Sequence, residues 1–241
     1  MHLTIYKDLD ALSEAVAEWI TELITETLKR KDHFSLALSG GSTPKSLYQL
    51  LAGERFRHRI AWEKIHFFWG DERYVPFEDD RNNARMAFRA LLDHVPVVKE
   101  QVHIMQTDVE PQIAAADYEQ LLRRFFAGKK YTFDLILLGL GDNAHTLSLF
   151  PGRPIIHEKT AWVQSFYLDQ EHQFRISLTV TPVNNARKVA FLVSGGSKAA
   201  ALFHVLYGEH DPDLYPAQVI QPYNEALYWF VDEAAASDIE R

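Results

Sequence analysis

Hydrophobic positions along this chain fall into two rhythms, and each marks a kind of element. From Asp8 to Lys31 the apolar residues Leu9, Leu12, Val16, Trp19, Ile20, Leu23, Ile24 and Leu28 recur at three- and four-residue steps. That spacing puts them on one stripe of a long amphipathic helix. The rhythm then changes: Phe34 to Leu38 is a short apolar run, followed by a glycine turn that opens another helix. The scheme repeats with a buried strand at Ile65 to Trp69, a charged loop, and a helix from about Asn83. The segment "FDLILLGLG" predicts a further central strand. "RISLTVTPVNNARKVAFLVSGGSKAAALFHVL" supplies two more strands and a helix after Ser197, and "EALYWFVDEAAA" a last strand running into a short helix.

Strands that are apolar throughout, separated by helices, belong to a mostly parallel sheet covered on both faces. The expected fold is therefore α/β, a doubly wound, Rossmann-like three-layer sandwich. No linker, low-complexity tract or heptad repeat interrupts it, so residues 1–241 are expected to form a single domain. In such sheets ligands bind beyond the carboxyl ends of the strands, and the loops at those ends become the place to look for chemistry.

Composition narrows the classes of function. Charged residues make up 24% and hydrophobic residues 47%, as in a globular protein with a large core. The formal charge of -8 gives no global basic field to draw in nucleic acid, so an anionic ligand must be held by a local site. The chain has no cysteine, which excludes disulfides, thiolate nucleophiles and Cys-based metal sites. The start, "MHLTIYKDLDALSEAV", has two early acids and no apolar stretch before a cleavage site, unlike a signal peptide. No run approaches the roughly 20 apolar residues of a membrane span. A cytoplasmic protein that acts on a small molecule and does not bind membranes is expected.

Four loops carry the chemistry. Ser39-Gly40-Gly41-Ser42-Thr43 precedes Pro44, which suits the first turn of a helix. Such a turn either binds an anion such as phosphate on its free amides or is simply a tight strand-to-helix connection. It is neither a Walker loop nor a G-x-G-x-x-G fingerprint. An echo, Ser194-Gly195-Gly196-Ser197, ends in Lys198, a cation at a helix start where the dipole gives it no stabilising role. Reuse of one anion-binding device accounts for the echo, with Lys198 on the phosphate or, alternatively, in solvent. Gly70-Asp71-Glu72-Arg73 follows a strand end: Arg73 can grip phosphate in bidentate fashion, while Asp71 or Glu72 fixes a sugar hydroxyl or orients Arg73, unless the cluster is solvated. Finally, His145 follows Gly139 and Gly141 and is the one side chain in these loops that titrates near neutrality. It is either a general base or a structural histidine. The 11 histidines are scattered, with no H-E-x-x-H or comparable cluster, and no G-x-S-x-G elbow is present. No metal and no organic cofactor are expected.

In order along the chain, "LSGGSTP", "WGDERYVP" with "NNARMA", "GLGDNAHTLSLFPG", "RISLTVTPVNNARKVAFLVSGGSKAAAL" and "PAQVIQPYNEALYWFVDEAA" span roughly Ser35 to Ala236. Together they resemble the 6-phosphogluconolactonases of the glucosamine-6-phosphate isomerase/6-phosphogluconolactonase superfamily. The resemblance implies hydrolysis of 6-phospho-D-glucono-1,5-lactone to 6-phosphogluconate, a step of the oxidative pentose phosphate route, without metal or cofactor. It carries the catalytic histidine onto His145. The phosphate turn falls on Gly40, Gly41, Ser42 and Thr43, the D-E-R arginine on Arg73, the lysine on Lys198, and a further arginine near the site on Arg175.

Relatives usually read G-x-G-x-D-G-H-T-A-S, so Asn143 stands where Asp is usual, Ala144 replaces glycine and Leu147 replaces a small residue. Asn143 can hydrogen-bond the imidazole but cannot stabilise imidazolium by charge. His145, Asn143 and Asp71 are the expected catalytic group, and backbone N–H groups of the glycine loops the expected oxyanion donors. Glucosamine-6-phosphate deaminase is the nearest alternative. Its D-G-H-I-A-F-N-E-P carries a glutamate absent here, where Leu147-Ser148-Leu149-Phe150-Pro151 follows. A non-catalytic sugar-phosphate sensor is the alternative outside enzymes. The expected oligomeric state is a monomer.

Overall fold

A computed structural model describes residues 1–239 of the 241. The first half contains β1 (His2–Tyr6), α1 (Leu9–Leu28), β2 (Phe34–Leu38), α2 (Ser42–Ala52), α3 (Glu54–Arg57), β3 (Ile65–Trp69), β4 (Asp71–Arg73) and α4 (Asn83–Ala90). It continues with α5 (Pro111–Phe125), β5 (Leu135–Leu138), β6 (Val163–Leu168), β7 (Gln173–Leu178), α6 (Val180–Asn184), β8 (Val189–Val193), α7 (Ala199–Tyr207) and β9 (Leu227–Asp232). Among the described residues no helix is long and apolar enough to cross a membrane.

Six strands form one parallel sheet in the order β1-β9-β8-β5-β2-β3. Its strands alternate between two cores because successive side chains point to opposite faces. Leu36, Leu38, Phe67, Trp69, Leu135 and Leu137 pack with α1, α2 and α4 on one side. Ala37, Phe68, Ile136, Leu138, Val189 and Phe191 pack with α5, α7 and part of a second sheet on the other. The stripe read on α1 buries Leu12, Val16, Ile20 and Ile24. The helix starts where Asp8 leaves helical geometry and its side chain accepts the N–H of Ala11 at 2.9 Å. Each such apolar side chain contributes about 1.5–3 kcal/mol through burial, so Ile20→Ala costs about 2–5 kcal/mol.

The structure departs from the sequence reading in several places, among them Asp71–Arg73, which is strand β4 where a loop is expected. His2–Tyr6 is a strand, paired parallel to β9 at the sheet edge. The strand in "RISLT" lies outside the main sheet: β7 is the centre of a separate antiparallel sheet, β4-β7-β6. Its segment Gln173–Leu178 alternates Phe174, Ile176 and Leu178 with Arg175 and Ser177, which is the pattern of a strand with one face on a core and one turned elsewhere. The short helix expected after β9 is absent: turns occupy 233–239, and the Asp232 carboxylate takes the N–H of Ala235 at 2.8 Å.

Candidate active site at the carboxyl ends of the strands

From β2 the sheet grows outward to β3 on one side, while β5, β8 and β9 extend it on the other. The carboxyl ends of β2 and β5 are thus a topological switch point, where neighbouring loops part and leave a crevice. A cavity of about 220 Å³ occupies that place. Its walls bring together Gly40, Gly41, Ser42, Thr43, Asp71, Arg73, His145 and Lys198, all chosen from sequence. Arg175 and Asn143 stand behind this wall rather than in it.

The loop after β5 presents the imidazole. Gly141 N–H donates to the His145 carbonyl at 2.7 Å and Ala144 N–H to the Gly141 carbonyl at 3.0 Å, which closes the loop on itself. Those two amides are therefore spent and offer nothing to an oxyanion, contrary to the expectation for this glycine loop. A Cβ on Gly141 would lie 2.1 Å from His145 Nδ1, so only glycine leaves room for the ring. Phe150 stacks on the other side, with ring centroids 4.3 Å apart. Asn143 Oδ1 sits 2.6 Å from His145 Nδ1 and 3.3 Å from the His145 backbone nitrogen. A backbone N–H can only donate, so the amide oxygen faces the ring and Nδ1 carries the proton. Nε2 is left with its lone pair. Burial pushes the imidazole down to about 4; the Asp71 carboxylate opposes this, and Arg175 and Lys198 reinforce it. The ring is neutral at pH 7. Ala144 and Leu147 hold left-handed backbone, φ 61° and 54°.

The two Ser-Gly-Gly-Ser turns differ in structure. Gly41 (φ 101°) is the N-cap of α2, and no side chain caps the helix, so the amides of Ser42 and Thr43 face the cavity without an acceptor among the described residues. At the second turn, Gly195 (φ 96°) donates its N–H to the Asp232 carboxylate at 3.0 and 3.1 Å, and the Ser194 hydroxyl donates to the same group. An internal carboxylate already occupies the place an anion would take, which corrects the reading of a reused anion device. Lys198 nevertheless reaches the cavity and has no ion-pair partner among the described residues.

The D-E-R segment splits its charges by strand alternation. Glu72 turns inward, fully buried, and accepts the N–H groups of Arg73, Asn83 and Ala84 at 2.7–2.8 Å. Burial lifts its carboxyl to about 7, and the three amides pull against that rise. It anchors the start of α4 and does not line the cavity, which leaves Asp71 as the carboxylate there. Asp71 accepts the Ser148 hydroxyl at 2.7 Å. Arg73 and Arg175 are cross-strand partners in the register of β4 and β7, and their Nε atoms are buried without acceptors. Arg175 is 4% exposed; burial, first of all, lowers its guanidinium, and Glu171 is its one carboxylate partner among the described residues. The two adjacent guanidinium groups stand against two carboxylates, Asp71 and Glu171, so the cluster is close to charge balance. Among the described residues no three His, Asp or Glu side chains converge to hold a metal ion.

Sequence reasoning missed Asn83, Ser148 and Phe150 as site residues. Asn83 and Ser148 lie inside the quoted motifs but carry no titratable signal, and Phe150 reads as ordinary core. Residues 7–229 match the family model described as glucosamine-6-phosphate isomerases/6-phosphogluconolactonase. The chain is 42% identical to the 6-phosphogluconolactonase of Synechocystis over 95% of its length and 94% of that protein's. It is 34% identical to the Haemophilus influenzae 6-phosphogluconolactonase over 83% and 85% of the two chains. The crystal structure of 6-phosphogluconolactonase from Thermotoga maritima superposes with a TM-score of 0.83 at 29% identity, covering 96% of this chain and 99% of that one. By that family model and these relatives, this chain, with its switch-point cavity, glycine turn and histidine loop, belongs to the glucosamine-6-phosphate isomerase/6-phosphogluconolactonase family.

Proposed function

We propose that this protein hydrolyses 6-phospho-D-glucono-1,5-lactone to 6-phosphogluconate, with His145 as general base. The observation that carries the reading is the convergence of a free imidazole Nε2, an uncapped helix start and an unpaired Lys198 on one cavity. The Ser42 and Thr43 amides and Lys198 hold the 6-phosphate, and Arg73 adds positive charge from the cavity wall. Anchoring the phosphate presents the lactone carbonyl to the ring and converts hydrolysis into a positioned reaction. Asn143 holds Nδ1–H and aims Nε2 at a water molecule. As water attacks C1, Nε2 takes its proton; when the bond from C1 to the ring oxygen breaks, the same proton passes to that oxygen. The product acid then loses its proton to solvent. With the amides of Gly141 and Ala144 spent, the amides of the first glycine turn are the donors available to the developing oxyanion.

An amide beside the imidazole, in place of a carboxylate, leaves the ring a weak base. That is enough for a strained, activated ester carbonyl and would be too little for an amide. A deaminase is less well supported, because counting from His145 puts Phe150, stacked on that ring, where the deaminase motif carries its glutamate. Every wall of the cavity comes from this one chain. A single-domain monomer in the cytoplasm fits this reading, since the site as read needs no residue from a second chain and phosphorylated sugars do not cross membranes freely. The test is acid release from freshly made lactone above the spontaneous rate, run beside glucosamine 6-phosphate with ammonia detection. Acid release alone supports the proposal; ammonia without acid release overturns it.

A further inference from the structure

Asn83, the first residue of α4, is 2% exposed and yet forms part of the cavity wall. Its backbone is fixed by its N–H donating to Glu72 at 2.7 Å. Its side chain is fixed by Nδ2 donating to the Asp71 carbonyl at 3.0 Å. With the amide nitrogen committed there, Oδ1 is held against Gly40, close enough that a Cβ at that position would lie 1.9 Å from it. No donor among the described residues reaches Oδ1. Gly40 therefore has a second use besides flexibility in the turn: its missing side chain leaves a rigid, buried acceptor open to the crevice.

We propose that Asn83 reads the sugar ring, its Oδ1 accepting a hydrogen bond from one of the ring hydroxyls of the bound lactone. The proposal rests on the lactonase reading and adds a specificity residue to it. The ligand group must be a donor, since an amide oxygen repels phosphate oxygens. The cavity is thereby divided. Lys198, Arg73 and the Ser42 and Thr43 amides form a donor wall for the phosphate, while Asn83 Oδ1 and the Asp71 carboxylate form an acceptor wall for hydroxyls. A buried acceptor left unpaired is costly, so a site of this kind rejects an analogue that lacks the matching hydroxyl.

The experiment compares kcat/KM of the wild type and Asn83→Ala on the 6-phospho-lactone and on its 2-, 3- and 4-deoxy analogues. One analogue is expected to be about 10- to 100-fold poorer for the wild type, from the loss of one hydrogen bond to a rigid acceptor. Asn83→Ala loses a similar factor on the full lactone and no longer distinguishes that analogue. This loss of discrimination at one ring position is a readout that a merely structural role would not predict. A wild type that hydrolyses all three deoxy analogues as well as the lactone overturns the proposal without need of a variant. So does an Asn83→Ala that slows every substrate equally. A wild type inactive on the lactone itself removes the lactonase reading and this inference with it.

Discussion

Two turns in this molecule carry the same four letters and do different work. Ser39-Gly40-Gly41-Ser42 follows β2, and Ser194-Gly195-Gly196-Ser197 follows β8; both place glycine in left-handed backbone just before a helix. What differs is the neighbouring strand. Continuing the register from Leu38 and Trp69 sets Ser39 beside Gly70, which has no side chain to offer. Continuing it from Val193 and Val231 sets Ser194 beside Asp232, whose carboxylate fills the turn. The first turn is left open for a ligand, and the second becomes a clip that ties β8 to the chain after β9. The left-handed glycine is the third letter of the first turn, Gly41, and the second letter of the other, Gly195, so the same four letters are threaded one residue apart, and the residue one strand away settles what the amides meet.

The sharpest way to break this contrast is Asp232→Ala. It strips acceptors from Ser194, Gly195 and Ala235 together, and chemical denaturation should show about 3 kcal/mol of lost stability. The contrasting result, at the cavity-facing lysine just after the clipped turn, is a change in binding, not in folding. Lys198→Ala should raise KM about 10- to 100-fold with unfolding shifted by less than about 0.5 kcal/mol. A large stability loss for Lys198→Ala would mean that the second turn is structural throughout.

Asn143→Asp sharpens the picture at the third loop. A carboxylate 2.6 Å from Nδ1 favours imidazolium, so the acid limb of kcat should move up by about 1–3 pH units from its wild-type place near 4. The sign is fixed: the neutral ring is the active form, and raising its pKa withdraws activity on the acid side. The smallest effect is expected at Ala144, whose φ of 61° is disfavoured for any residue with a Cβ. Ala144→Gly relieves about 1–2 kcal/mol of strain and loses part of that to unfolded-state entropy. A net gain of roughly 0.5–1 kcal/mol in thermal or urea unfolding is the expected outcome.

Much of this was legible in the sequence because apolar runs and glycine turns are local signals. β2, β3, β5, β8 and β9 read as buried strands, and the segments after them supply Gly40 to Thr43, Arg73, His145 and Lys198, which line one cavity. What escaped was set by contacts between distant segments. Asp71–Arg73 reads as a charged loop, since nothing local shows that it pairs with Ser177–Arg175. Glu72 and Asp71 look equivalent in the sequence, and only strand alternation sends one under α4 and the other to the cavity. Asp232 gives no hint of its role until β9 is laid beside β8.

The central claim is that the neutral His145 ring takes the proton of the attacking water. Its direct test is kcat for lactone hydrolysis at saturating substrate, measured from pH 3 to pH 8 on the wild type and on His145→Ala. The account predicts a wild-type rate that is level above about pH 5 and falls through the imidazole value near 4, and a variant about 10²–10⁴-fold slower that has lost this limb. A variant that retains the wild-type rate, or keeps the same acid limb, would contradict it.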